Sequence, residues 1–305
     1  MNKLDVKQMK KLRKNIIVIL GNGFDLDLGL KTSYKEFWQE RNIELTSYRY
    51  YISPSEALYS RLEEHHKNMV ANNWFDFEEI MRSYASETIK RYESRGDSLS
   101  RTASYHGNNL KANIEYFIHL KKTIIDYLSI QQDNHNLRTE SHAASLLRAM
   151  AKKSLFRQYT CYNFNYTNIN VFAKELGYKN NLTVKYIHGN LQDKNIIFGI
   201  GEDQLVNGYD FLLKKNQGAK GMLFQEELYK ADEVIVFGLA FGRNDIHYFI
   251  DFFKSIQSGR ITPKITIYTY NEQEKENIKH RLAEYSIDLS IIMSMKILTM
   301  ISTHD

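Results

Sequence analysis

Apolar positions along the chain fall into two kinds of pattern. Ile16 to Leu20 is a continuous and mostly β-branched run, which predicts a strand buried on both faces. It ends in Gly21-Asn22-Gly23, and Phe24, Leu28 and Leu30 then follow at helical spacing. Tyr34, Phe37 and Trp38 recur at the same period and predict helix packing. From about residue 55 to about 150 the strand pattern disappears. Trp74, Phe77, Ile80, Met81 and Tyr84 form one apolar helical stripe, with Asp76, Glu78 and Glu79 near its start, where acids favour the dipole. Leu110, Ile114, Phe117, Ile118, Ile124, Ile125 and Leu128 form a second stripe. Between them Glu93–Asn109, rich in Ser, Arg, Gly and Asn, predicts a loop, and Gln131–His142 a second polar break. We read this stretch as a helical insertion within one α/β domain spanning residues 1–305.

Strand patterns return in the second half at Arg157–Phe164, Leu182–Ile187, Ile196–Phe198, Glu233–Gly238 and Lys264–Tyr270. Helical patterns separate some of them, at Gly221–Ala231 and from Ile246 to Phe253. Asn271 with Glu274 forms a capping-box pair ahead of Ile278, Leu282 and Tyr285. Strands alternating with helices predict a parallel, doubly wound sheet.

Composition narrows the class. The chain has 41 basic and 36 acidic residues, a formal charge of +5, which is too small and too dispersed to mark a nucleic-acid surface. Cys161 is the only cysteine, so there is no disulfide framework and no thiolate zinc site, and a reducing cytoplasm is the expected home. Residues 1–14 are a polar, basic lead-in without the apolar core of a secretory signal. No apolar run approaches the roughly 20 residues that cross a bilayer.

In a doubly wound sheet ligands bind beyond the carboxyl ends of the strands, so residues just after strands carry the candidate chemistry. Four sets qualify: Gly21-Asn22-Gly23-Phe24-Asp25; Asn163-Phe164-Asn165-Tyr166-Thr167-Asn168; His188-Gly189-Asn190; and Gly238 through Asp245. Singly, each has a plainer reading. Asparagines after strands make turns and caps. A lone histidine is more often structural, and Asp245 is most simply the N-cap of the helix beginning at Ile246. His106-Gly107, in the predicted loop, shows how easily the dipeptide arises, and His65 with His66 would diverge on a helix.

Together the sets support specific chemistry. A glycine turn at a helix start can hold a pyrophosphate. An asparagine amide can bind a water or ribose hydroxyl, and a histidine can take a ribose proton or polarise a nucleophile. Pyrophosphate, ribose and a bond beside that ribose describe a dinucleotide such as NAD. The chain has no P-loop lysine signature and no acidic cluster of the kind that holds nuclease metals, so no metal is expected.

Several of these segments resemble the AbiH family of bacterial abortive-infection proteins. They are Leu20-Gly21-Asn22-Gly23-Phe24-Asp25-Leu26, Gly29 through Phe37, Trp74-Phe75-Asp76-Phe77-Glu78, Phe164-Asn165-Tyr166-Thr167, Ile187-His188-Gly189 and Gly238–Asp245. More remotely the arrangement resembles the sirtuin-like NAD-binding fold, with Gly21-Asn22-Gly23-Phe24-Asp25 and Gly29-Leu30 at matching spacing. That resemblance implies a sirtuin-like Rossmann-type parallel sheet in which Asn165 and His188 orient the nicotinamide ribose and activate a nucleophile. It implies that Gly21, Asn22, Gly23, Phe24 and Asp25 hold the cofactor, with Thr167, Gly189, Gly238 and Asp245 beside them.

Thr167 stands where sirtuins have aspartate, Ala240 where both groups commonly have serine, and Leu239 where many AbiH members have histidine. The single cysteine excludes the sirtuin zinc module. The implied activity is hydrolysis of NAD during phage defence. The alternatives are a nucleotide sensor without turnover, or a toxin acting on RNA or another nucleotide. Expected partners are NAD or a related nucleotide, with a second copy of the chain or a phage or host activator as the protein partner, and no membrane.

Overall fold

The computed structural model describes residues 13–40, 58–67, 74–94, 99–134, 136–152, 154–179, 181–201, 209–217 and 222–304. Most of the basic lead-in, and residues 55–57, 68–73, 95–98 and 135 of the expected insertion, lie outside these. In chain order the regular elements are β1 (Lys14–Leu20), α1 (Asn22–Leu28), α2 (Tyr34–Glu40), α3 (Leu58–Lys67), α4 (Trp74–Ser94), α5 (Leu99–Asp133), α6 (His142–Ala151) and β2 (Arg157–Asn163). They continue with α7 (Ile169–Glu175), β3 (Val184–Tyr186), α8 (Met222–Leu228), β4 (Glu233–Phe237), α9 (Ile250–Gln257), β5 (Lys264–Thr269), α10 (Glu272–Ala283), α11 (Leu289–Ser294) and β6 (Leu298–Ser302).

The chain divides into two compact units. The first comprises Met1–Leu30, Asn134–Asp193 and Lys220–Asp305, and it carries the sheet. Six parallel strands run in the order β3-β2-β1-β4-β5-β6, so the protein is α/β. This is the order of a doubly wound dinucleotide-type sheet, with its reversal between β1 and β4. β1 is central because both its faces are apolar and both its edges are paired. Ile16–Leu20 hydrogen-bonds along Tyr159–Asn163 on one side and Glu233–Phe237 on the other.

Alternation along β1 divides the core. Ile17 and Ile19 pack with Val234, Val236, Ile265 and Ile267 under residues of α8, α9, α10 and α11. Ile16, Val18 and Leu20 pack with Cys161 and Phe237 under α1, α6 and α7. The expected amphipathic helix after Asn271 is α10: the Asn271 side chain accepts from the Glu274 N–H at 2.9 Å, and Ile278 and Leu282 are buried. Only one arm of the capping box forms, because the Glu274 carboxylate holds Arg281 and Asn277.

The second unit comprises Lys31–Asp133 and Lys194–Ala219. Its described core is aromatic. Tyr34 stacks on Phe77 at 4.6 Å, Phe77 on Phe198 at 5.0 Å, and Phe37 meets the edge of Tyr127 at 5.4 Å. Thus Tyr34, Phe37 and Trp38 are core residues of a helix, as their spacing predicts.

Four sequence expectations are corrected here. Ile196–Phe198 is a buried loop, not a strand. The Gln217 side chain satisfies its backbone, accepting from the Phe198 N–H at 3.3 Å and donating to the Phe198 carbonyl at 2.8 Å, which does the work a ladder would do. Leu99–Asn109, predicted as loop, is the first third of α5. Between Leu99 and Asp133 there is no proline, and Gly107 costs only about 1 kcal/mol, so the stripe from Leu110 carries the helix upstream through His106. The polar break expected from Gln131 accordingly begins after Asp133. Finally, Asp245 does not cap the next helical turn.

Candidate functional site

Four strand ends deliver the predicted residues to one edge of the sheet. At the first, β1 runs into Gly21, whose N–H donates to the Phe237 carbonyl at 2.8 Å, and the Gly23 N–H donates to the Gly238 carbonyl at 3.0 Å. The loops after β1 and β4 are therefore joined backbone to backbone at the point where the strand order reverses. That contact explains the glycines. A Cβ on Gly21 would lie 2.6 Å from the Gly238 oxygen, and one on Gly23 would lie 2.6 Å from the Gly238 Cα. Phe24, counted with the cofactor loop, is fully buried and meets Phe237 edge-on at 5.5 Å. Asn22, also in that set, opens α1 and is half-buried.

Asp25 and Asp27 both lie on α1 and both are buried, but they do different things. Asp27 accepts from the Ala143 N–H at 2.7 Å, which joins Ser141 in capping α6. Asp25 turns instead to Thr167, whose hydroxyl donates at 2.9 and 3.1 Å to its two oxygens. Burial pushes the Asp25 carboxyl up from 3.8 to about 7, against the opposing pull of its hydrogen bonds with Thr167 and Asn165.

This has a measurable sign. Below pH 3.8 folded and unfolded chains both hold the Asp25 proton, and between there and about pH 7 only the folded chain does. Its contribution to stability is thus fully present below pH 3.8, falls as pH rises, and is gone above about 7. At roughly 1.4 kcal/mol per pH unit, wild type should lose about 2–3 kcal/mol between pH 5 and 7 relative to Asp25→Asn. Urea midpoints at the two pH values check this; parallel behaviour of the two proteins would contradict it.

After β2, the asparagines divide between turn-making and cross-linking. Asn163 accepts from the Asn165 N–H at 2.9 Å and donates to the Thr167 carbonyl at 3.0 Å, so it shapes the turn that carries Thr167. Asn168 caps α7 by accepting from the Asn170 N–H at 3.1 Å. Asn165 reaches across to β1, donating its amide to the Gly21 carbonyl at 2.9 Å. The turn after β2 is thereby tied to the glycine loop.

After β3, His188 is buried with its ring edge-on to Phe164 at 5.4 Å. Gly189 follows with φ of 75°. The His188 Nε2 lies 2.9 Å from the Asp245 Oδ1, delivered by the segment after β4. Asp245 therefore spends its carboxylate on an imidazole rather than on a helix end. Within that segment Gly238 takes φ of 64°, and the Arg281 guanidinium donates to the Ala240 carbonyl at 2.8 Å.

The predicted residues thus form three linked sets: Gly21, Gly23 and Gly238 with Asn165; Asp25 with Thr167; and His188 with Asp245. Spacing did not indicate these pairings, since each joins loops that only the strand order brings together. Asn163, named in the second strand-end set but given no role of its own, is the buried residue on which both Asn165 and Thr167 are hung. Among the described residues no three His, Cys, Asp or Glu side chains converge as a metal site. Nor is any described helix long and apolar enough to cross a membrane.

The arrangement defines a doubly wound α/β protein whose buried polar residues gather beyond the carboxyl ends of β1, β2, β3 and β4. No curated protein matches the chain. The family model described as bacteriophage abortive infection AbiH matches residues 17–267, from β1 into β5. The chain belongs to the AbiH family, and with it to the proteins of bacteriophage abortive infection.

Proposed function

We propose that this chain is an anti-phage effector that hydrolyses NAD to ADP-ribose and nicotinamide. The observation that supports it most is the His188–Asp245 pair, a buried imidazole held 2.9 Å from a half-buried carboxylate beyond the carboxyl ends of a sheet in dinucleotide order. A carboxylate on one imidazole nitrogen fixes the ring and stabilises its protonated form, the arrangement of an oriented general base. In the reaction the bond between the nicotinamide nitrogen and ribose C1′ breaks, and its electron pair leaves with nicotinamide. Water adds to C1′ and gives up one proton. The role proposed for His188 is to accept that proton or one from a ribose hydroxyl. Asn165 holds the loop against which the ribose would rest, and the resemblance to sirtuin-like NAD-binding proteins supports the choice of ligand.

Purified protein incubated with NAD, alone and in cells under phage infection, tests this by the appearance of ADP-ribose and nicotinamide. His188→Ala should lower the rate at least about 100-fold, the usual range for loss of a general base. Asp245→Asn should lower it about tenfold or more, because the imidazole keeps its place but loses its charge partner. Undiminished turnover in both variants would remove the assignment.

One observation favours a second reading. The Asn165 amide is engaged by the Gly21 carbonyl, and residue 240 is alanine where the resemblance to sirtuin-like proteins implies a serine. A site with those two polar groups withdrawn suits holding a nucleotide without breaking it. Calorimetric binding of NAD with no product formed would select the sensor.

A further inference from the structure

The opposite end of the same sheet carries a second polar feature, unconnected with the strand-end loops above. A cavity of about 330 Å³ opens among the amino ends of the first three strands and the C-terminal end of α6. Its charged lining residues are Arg13, just before β1, Lys152, just after α6, and Arg157, which begins β2. No aspartate or glutamate lines it, so three cations converge with no anion among them. Thr160 and Thr183 add hydroxyls, and the apolar parts of Met150 and Leu182 complete the wall.

We propose that this cavity binds a small phosphate-bearing anion, either inorganic phosphate or a nucleoside monophosphate. Guanidinium groups suit phosphate oxygens because they present paired donors in a plane. The Arg157 guanidinium makes a marginal 3.5 Å approach to the Tyr159 hydroxyl and feels the charge of Glu233, and neither uses up its paired donors. Two effects run the other way: Glu233, outside the lining, acts on Arg157, and the C-terminus of α6 turns its carbonyl end here with about half a negative charge; three cations stand against them. The volume lies near the lower end of the range for small-ligand pockets, which suits a phosphate or a single nucleotide better than a dinucleotide. Cys161 also borders the cavity, but its burial and raised thiol pKa leave it a neutral wall residue and not a nucleophile. Arg157 lies six residues along β2 from Asn163, roughly 20 Å, so the cationic end of the cavity stands apart from the loops that carry His188.

Calorimetric titration of the full chain at low salt, with inorganic phosphate and with AMP in separate experiments, tests the site. Saturable binding of either probe is expected, weakened about tenfold or more in Arg13→Gln/Arg157→Gln. Phosphate binding alone would identify the free anion as ligand, and AMP binding alone a nucleotide. His188→Ala should bind the probes as wild type does, which separates this site from the carboxyl-edge loops. Both substituted side chains are solvent-facing, so the double variant should keep its circular dichroism and melting temperature. Absence of saturable binding by both probes overturns the proposal, as does equal affinity in wild type and double variant. A short single-stranded oligonucleotide binding more tightly than either probe would overturn it in favour of a nucleic-acid surface.

Discussion

Gly238→Ala should destabilise the protein by about 3–5 kcal/mol, a large part of the margin of an ordinary domain. Two costs add. At φ of 64° any side chain enters the left-handed region, at roughly 1–2 kcal/mol. The new Cβ would also stand 2.3 Å from the Gly23 Cα and 2.6 Å from the Phe24 nitrogen. Both neighbours are backbone at the start of α1 and cannot swing aside as a side chain would, so the loops must part, at about 1–3 kcal/mol or more. Gly259→Ala is the control. Its φ of 72° carries the same conformational cost, but nothing lies within 4 Å of its Cβ. Urea denaturation of the two variants separates the contributions, and equal losses would mean that the backbone contact between the loops is not as close as described.

Lys214→Met should cost a similar 3–5 kcal/mol for an electrostatic reason. In the second unit, the Lys214 ammonium lies 3.0 Å from the Glu78 carboxylate, and both side chains are almost wholly buried. The Gly199 N–H donates to the same carboxylate oxygen at 3.3 Å. Removing the lysine takes from a buried carboxylate the ammonium that faces it at 3.0 Å, and water does not replace it there as it does in the unfolded chain. Replacing both partners, as in Glu78→Leu/Lys214→Met, should recover most of the loss, because the pair's desolvation cost disappears with it. If the single and double variants unfold at the same denaturant concentration, the charge argument fails and packing volume is the cause.

Glu78 also illustrates what could be read from residues alone. Its place near the start of an apolar stripe suggested an acid favouring a helix dipole. Its actual role depends on Lys214, which lies outside the predicted insertion. The strands β1, β2, β4 and β5 were legible because each is a β-branched or aromatic run closed by glycine, asparagine or a turn. β6 was not, since as an edge strand it buries only Leu298 and carries little pattern. α7 was missed between the asparagine-rich turn and β3, its seven residues being too few for a periodic signal.

In the candidate site the same division holds. Being placed just after a strand picked out Asn165, His188 and Asp245 one at a time. That His188 faces Asp245, and Asp25 faces Thr167, follows from sheet order, which no local spacing encodes. The glycines show the limit differently. Their small size was legible, but it serves a contact between two loops and not only room for a ligand.

The central position of β1 has a consequence for how the chain is made. This strand is synthesised well before either of its partners, Arg157–Asn163 and Glu233–Phe237. Chains grow at about 5–20 residues per second, so its most β-prone segment waits many seconds with both edges open. Such a strand invites chaperones and misassociation in the interval. It also means that the carboxyl-edge crevice cannot exist in a partial product: a chain stopped before Glu233 has neither the Gly238 wall nor Asp245. For this member of the AbiH family, synthesis through Asp245 is therefore what brings the four strand-end segments together.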